Sequence, residues 1–159
     1  MIPNVRTNFK KSLEDFRDHH KNKWNLGFHF LCGLIYTSIF LFLLGGMTGA
    51  VWPILLYALL LIALVPSWEY LMAIVLIIVL LLFMNWLLMK IKMKMKITTY
   101  FPIILMMVIV LFYMAPELSH MMTKEKTVLT WEGLSIVMLW KGIENFLFLF
   151  PYTVYSLFL

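Results

Sequence analysis

The chain reads as an all-α polytopic membrane helix bundle: four to five transmembrane helices preceded by a short amphipathic interfacial helix. Three observations predict this. Of its 159 residues, 63% are hydrophobic and 13% charged, with mean hydropathy +0.91, which is too apolar for a soluble domain. The apolar residues fall into five long runs separated by charged or Gly/Pro-containing breaks. Tryptophans 24, 52, 68, 86 and 131 and tyrosines 70 and 100 lie near the ends of those runs, as the aromatic belt of a membrane protein requires. In lipid every backbone polar group must be satisfied within the chain, so the runs are helices.

The elements follow in order. Residues 1–24 form a cytosolic or interfacial segment, and residues 25–159 a single transmembrane domain. Within 8–20, Phe9, Leu13 and Phe16 recur at helical spacing among charged residues, which predicts a short amphipathic helix on the membrane surface. Residues 1–24 carry charge throughout and no short apolar core, so no cleavable signal peptide is expected and the first membrane helix serves as its own targeting signal. Asn25 is placed to cap that helix. The runs are Leu26–Leu44, Ala50–Val65, Trp68–Met89, Ile97–Met114 (ended by Ala115-Pro116) and Leu134–Leu159. A spanning helix needs about 20 apolar residues; the first, third and fourth runs meet this readily, and the second is short. Lys141 and Glu144 in the last run are three residues apart and can pair on one helix face.

Charge gives orientation. If the first four runs all cross, the amino terminus and loop 115–133 share a side holding eight positive residues, Arg6, Lys10, Lys11, Arg17, Lys21, Lys23, Lys124 and Lys126. The other side holds four, Lys90, Lys92, Lys94 and Lys96. The bias places the amino terminus in the cytoplasm. The net charge of +5 sits outside the apolar runs and suits anionic headgroups; no basic–aromatic interleaving suggests nucleic acid. The single cysteine, Cys32, excludes an intrachain disulfide.

Chemistry is confined to few residues. His19, His20, His29 and His120 are the four histidines. His29 lies inside the first run, and an ionisable residue within a span carries a functional expectation. His29 shares a helix face with Asn25 and Gly33. His20 is nine residues before His29, so on one continuous helix the two would face opposite ways; a break near Asn25 lets both address one ion. His120 follows the fourth run and returns to the level of His20 and His29 after four crossings, flanked by Glu117 and Glu125. Two or three histidines with a carboxylate make a set for non-haem iron with open positions, and Glu144 is a candidate to orient a histidine. The bland alternative for His19, His20 and His120 is solvation among headgroups.

The pattern His20-x-Asn22-x-x-Asn25-x-x-x-His29, with its doubled histidine at His19-His20, resembles the amino-terminal signature of the small endoplasmic-reticulum membrane family of Fe(II)-dependent 2-hydroxy fatty acid dioxygenases. Ser119-His120 followed by Glu125-Lys126 is similar to its second signature, and Glu144-Asn145-Phe146-Leu147-Phe148 resembles its last helix. The family's usual Pro-Ala after Glu-Lys is replaced here by Thr127-Val128. The resemblance implies α-oxidation of fatty acids: with Fe(II) and O2, the C1–C2 bond of a 2-hydroxy fatty acid is cleaved and the chain shortened by one carbon. It implies His20, His29 and His120 as catalytic iron ligands, joined in some arrangements by His19 or Glu125. Asn25 and Glu144 would lie behind the ligands, and Lys124 or Lys126 would hold the substrate carboxylate. It implies the endoplasmic reticulum, or the cytoplasmic membrane in a bacterium.

Other readings stay open at this point. One is a bis-histidine haem protein using His29 and His120. Another is a small non-enzymatic structural or assembly membrane protein with incidental histidines. Di-iron desaturases need about twice as many histidines, and no inverted repeat suggests a transporter.

Overall fold

In the computed structural model, which describes residues 5–45, 50–64, 70–95, 100–123 and 136–158, the described residues contain six helices and no strand. They are α1 (Val5–His19), α2 (Lys23–Gly45), α3 (Val51–Leu64), α4 (Tyr70–Met95), α5 (Phe101–Thr123) and α6 (Ile136–Phe158). Three stretches, Lys23–Gly45, Tyr70–Met93 and Phe101–Thr123, are long and apolar enough to cross a bilayer, whereas Val51–Leu64 and Phe146–Phe158 are apolar but shorter. Trp24, Trp52, Trp86 and Tyr100 are all exposed on the outer surface.

The bundle is built around α2, which packs against α3, α4, α5 and α6. Most of α2 is buried, while α4 and α5 turn most of their apolar surface outward. α5 runs antiparallel to α2. His29 near the start of α2 meets His120 near the end of α5, Tyr36 meets Tyr113 two turns further in, and Phe42 meets Phe101 at the other end. Small residues set the closest approaches. A Cβ on Gly33 would stand 3.1 Å from Phe150 Cα, so α6 lies directly on the α2 backbone there. A Cβ on Gly45 would stand 2.9 Å from Ala50 Cα, which makes glycine necessary where α2 turns into α3. Ala50 carries the first carbonyl of α3, accepting from Ile54 N–H at 2.8 Å, and donates its own N–H to Asn85 Oδ1 of α4 at 2.8 Å. An orphan donor at the α3 entrance is thereby satisfied from a neighbouring helix.

Three sequence expectations change. The stripe Phe9, Leu13, Phe16 on α1 is covered by protein. Phe9 packs on Phe148, Tyr152 and Tyr155 of α6, and Arg17 Nη2 donates to the Tyr155 carbonyl at 2.8 Å. That bond satisfies one of the terminal carbonyls of α6 and favours its negative end. Secondly, the cap of α2 is Asn22 and not Asn25. Asn22 Oδ1 accepts the Trp24 N–H at 2.9 Å and Asn22 O accepts Leu26 N–H at 2.9 Å, leaving Asn25 inside the first turn. Thirdly, α5 does not stop at Ala115-Pro116. It continues to Thr123, because Pro116, Ser119 and His120 bury one continuous face. Packing on that face outweighs the backbone bond that proline removes. The lysine-rich stretch after Met89 is likewise helical as far as Met95.

Gly33→Leu should lower stability by about 1–3 kcal/mol through forced separation of α2 and α6. Gly27→Leu, where a Cβ meets nothing within 4 Å, should not. Thermal melting in detergent checks this, and equal losses would show that the α2–α6 contact is not tight.

Candidate metal centre

His20 lies in the short connection between α1 and α2, His29 two turns into α2, and His120 in the last turn of α5. All three are buried, with 5%, 3% and 2% of their surface exposed. Their Nε2 atoms form a nearly equilateral triangle: 3.2 Å from His20 to His29, 3.1 Å from His20 to His120, and 3.1 Å from His29 to His120. Among the described residues this is the group of histidine, cysteine and acidic side chains close enough to share an ion.

Local structure explains the convergence. α1 ends at His19, and the Asn22 cap restarts the helix at Lys23, so the chain reverses between the two histidines. His20 Nδ1 donates to the Phe16 carbonyl at 2.7 Å. A carbonyl only accepts, so this bond puts the proton on Nδ1 and leaves the Nε2 lone pair directed into the triangle. The Phe16 ring stacks on the imidazole, centroids 3.9 Å apart and 18° from parallel, and approaches His29 edge-on. Phe16 is in turn fixed by Tyr152. The α1–α6 contact therefore aims His20. Asn25, with 1% of its surface exposed, lies against both Ser119 and His120. His29 Nδ1 is buried without a hydrogen-bond partner among the described residues.

The triangle fits one ion. Nitrogens bonded to a transition metal at about 2.1 Å lie roughly 3.0–3.4 Å apart as bond angles run from octahedral to tetrahedral, and the observed separations fall in that interval. Protons alone do not satisfy the site. With the His20 proton on Nδ1, three short Nε2···Nε2 contacts would share at most two protons, and each N–H points along one edge only. At least one edge is then left with two lone pairs or two N–H groups facing across 3.2 Å or less in a buried place, a repulsion that three lone pairs directed at one cation remove. Three neutral imidazoles suit zinc, copper, iron or nickel.

The other sequence candidates are distributed as follows. His19 is outside the group, its Nδ1 bonded to the Asp15 carbonyl at 2.7 Å. Glu117 precedes His120 by one turn of α5 and is half-buried, and its carboxylate is not among the atoms of the triangle. Lys124, Glu125 and Lys126 lie outside the described residues, as do the side chains of Lys141 and Glu144, whose backbone belongs to α6. Phe16, Arg17 and Ser119 were not singled out for roles at the site. A signal for Phe16 existed, since it stands one helical turn before His20; for Arg17 and Ser119 the partners are distant in sequence. Comparison of the chain with protein-family models, curated proteins and solved structures finds no match.

The purified protein is expected to hold one divalent transition metal per chain. His20→Ala, His29→Ala and His120→Ala should each reduce that stoichiometry in metal analysis, while His19→Ala should leave it unchanged. An unchanged content in all three variants would exclude the triangle as the site.

Proposed function

We propose that the protein is a membrane non-haem iron dioxygenase that shortens 2-hydroxy fatty acids by one carbon through α-oxidation. The observation that carries the reading is the buried triangle of Nε2 atoms, 3.1–3.2 Å on a side, at one end of a bundle of apolar helices. The resemblance of the His20–His29 segment selects this chemistry among those that three histidines support.

His20, His29 and His120 would hold Fe(II), which supplies activation of O2. The chain's own residues supply the rest. Phe16 and the Asn25–Ser119 pair hold two of the imidazoles in place. Trp24, Leu118, Met121 and Met122 are exposed around the histidine end of α2 and α5, an apolar rim suited to an acyl chain arriving from the bilayer. Lys21 and Lys23 are exposed beside His20 and, with Lys124 and Lys126, offer positive charge to a carboxylate. The reaction balances without an added reductant: 2-hydroxy acid and O2 give the acid one carbon shorter, carbon dioxide and water. The lysine and arginine bias supports a cytoplasmic position for the histidine end, and the resemblance favours the endoplasmic reticulum.

The triangle supports one small ion over haem. Axial imidazoles stand about 4 Å apart across a haem iron with the macrocycle between them, whereas His29 and His120 approach to 3.1 Å. A purely structural protein would tolerate His29→Leu with no loss beyond packing.

Detergent-purified protein supplied with Fe(II) should consume O2 and convert 2-hydroxypalmitate to the acid one carbon shorter, and His29→Ala should fall to background. A protein that binds iron but leaves 2-hydroxy fatty acids of all chain lengths untouched would refute the substrate, and one that binds no iron would refute the class.

A further inference from the structure

The triangle uses one ring nitrogen of each histidine. The second nitrogen of His120 meets a chain of polar atoms that ends on the backbone. Asn25 presents its amide to His120 Nδ1 at 3.4 Å, its other amide atom contacts Ser119 Oγ, and Ser119 Oγ lies 2.7 Å from the Pro116 carbonyl. Asn25, Ser119 and His120 are 1%, 7% and 2% exposed, so bulk water takes little part.

The amide of Asn25 can face His120 with either of its polar atoms. In this structure the amide turns Nδ2 toward His120 and Oδ1 toward Ser119. Nδ1 then accepts, and the His120 proton sits on Nε2, inside the triangle where it blocks an ion. The single Ser119 proton also faces two acceptors, Asn25 Oδ1 and Pro116 O. Turning the amide over exchanges two atoms of nearly equal size, with Ser119 Oγ drawing back to N–H···O distance. His120 Nδ1–H then donates to Asn25 Oδ1, Asn25 Nδ2–H to Ser119 Oγ, and Ser119 Oγ–H to Pro116 O. The His120 Nε2 lone pair is released toward the other two.

We propose that Asn25, backed by Ser119, is the positioning residue that makes His120 a metal ligand, by accepting the Nδ1 proton and so leaving Nε2 to the ion. The inference rests on the reading of the triangle as a metal site and is independent of the substrate. Asn25 is a buried polar residue in the first turn of a spanning helix, where an idle amide is unfavourable, and the arrangement matches the outer partners that orient metal-bound imidazoles elsewhere.

The test is Co(II) titration of the full-length protein in detergent, read by the visible absorption of the bound ion, with melting of each metal-free variant alongside. Asn25→Leu should weaken Co(II) binding by about 10–100-fold. Asn25→Asp, which keeps the acceptor for Nδ1–H, should stay close to wild type. Ser119→Ala should weaken binding less than Asn25→Leu does. A residue needed only for packing would instead give Asn25→Asp and Asn25→Leu the same loss of ion and the same drop in metal-free melting temperature, and that result would overturn the proposal. So would wild-type affinity in Asn25→Leu. If Asn25→Leu does not fold, Asn25→Asp alone decides: retention of Co(II) supports the relay, loss overturns it. A wild-type protein that takes up no Co(II) would remove the metal centre itself and the relay with it, whereas wild-type binding with an indifferent Asn25 would remove the relay only.

Discussion

Three imidazole nitrogens held within 3.2 Å of one another in an apolar surround are the constraint on which this molecule turns. Lone pairs brought so close repel, and burial removes the water that would relieve them. Something in the rest of the chain must hold them there. The connection at His20–Asn22 reverses the backbone, the Phe16 carbonyl fixes one ring, and the antiparallel seam of α2 and α5 returns His120 to the level of His29. Phe16 has 5% of its surface exposed and Tyr155 none, so α1 reaches the site through packing against α6 as well as through covalent continuity.

The central helix carries this arrangement by being thin where others must come near. Glycine at 33 admits the α6 backbone, and glycine at 45 admits the turn into α3. Between them the Tyr36–Tyr113 pair and Phe146 fill the interior. Aromatic contacts of this kind, edge-to-face or stacked, are worth roughly 0.5–1.5 kcal/mol each. In a bilayer, where apolar surface gains little by leaving lipid, such close packing and the few buried hydrogen bonds hold the helices together.

Much of this was legible in the residues. Apolar runs marked the five bundle helices because lipid leaves the backbone no other regular option, and the short second run became the short α3. A helix break between His20 and His29 followed from their nine-residue spacing. Four crossings would return His120 to the level of His29, and the two do meet, though among the described residues only three helices are long enough to span. What stayed hidden depended on partners far away in sequence. Asn25 looked like a cap because caps are local, and its real neighbours stand 94 and 95 residues off. Pro116 looked like a terminator because local rules count the lost N–H and not the face that α5 buries. Arg17 gave no sign of its bond to Tyr155, 138 residues on. The resemblance to a dioxygenase family is carried mainly by the same short segment that carries two of the histidines; of its remaining signatures Ser119-His120 and Phe146–Phe148 are described, whereas Glu125, Lys126 and the side chains of Glu144 and Asn145 are not.

The separation of 91 residues between His29 and His120 has a consequence for biosynthesis. A chain emerging from the ribosome exposes His20 and His29 to the membrane environment well before α5 is made. Two imidazoles hold an ion loosely, and the third arrives only when α5 inserts beside α2. If the triangle holds an ion as proposed, its loading waits on α5, and a chain arrested before α5 presents two of the three histidines. Retention of an ion would report that α5 had docked beside α2.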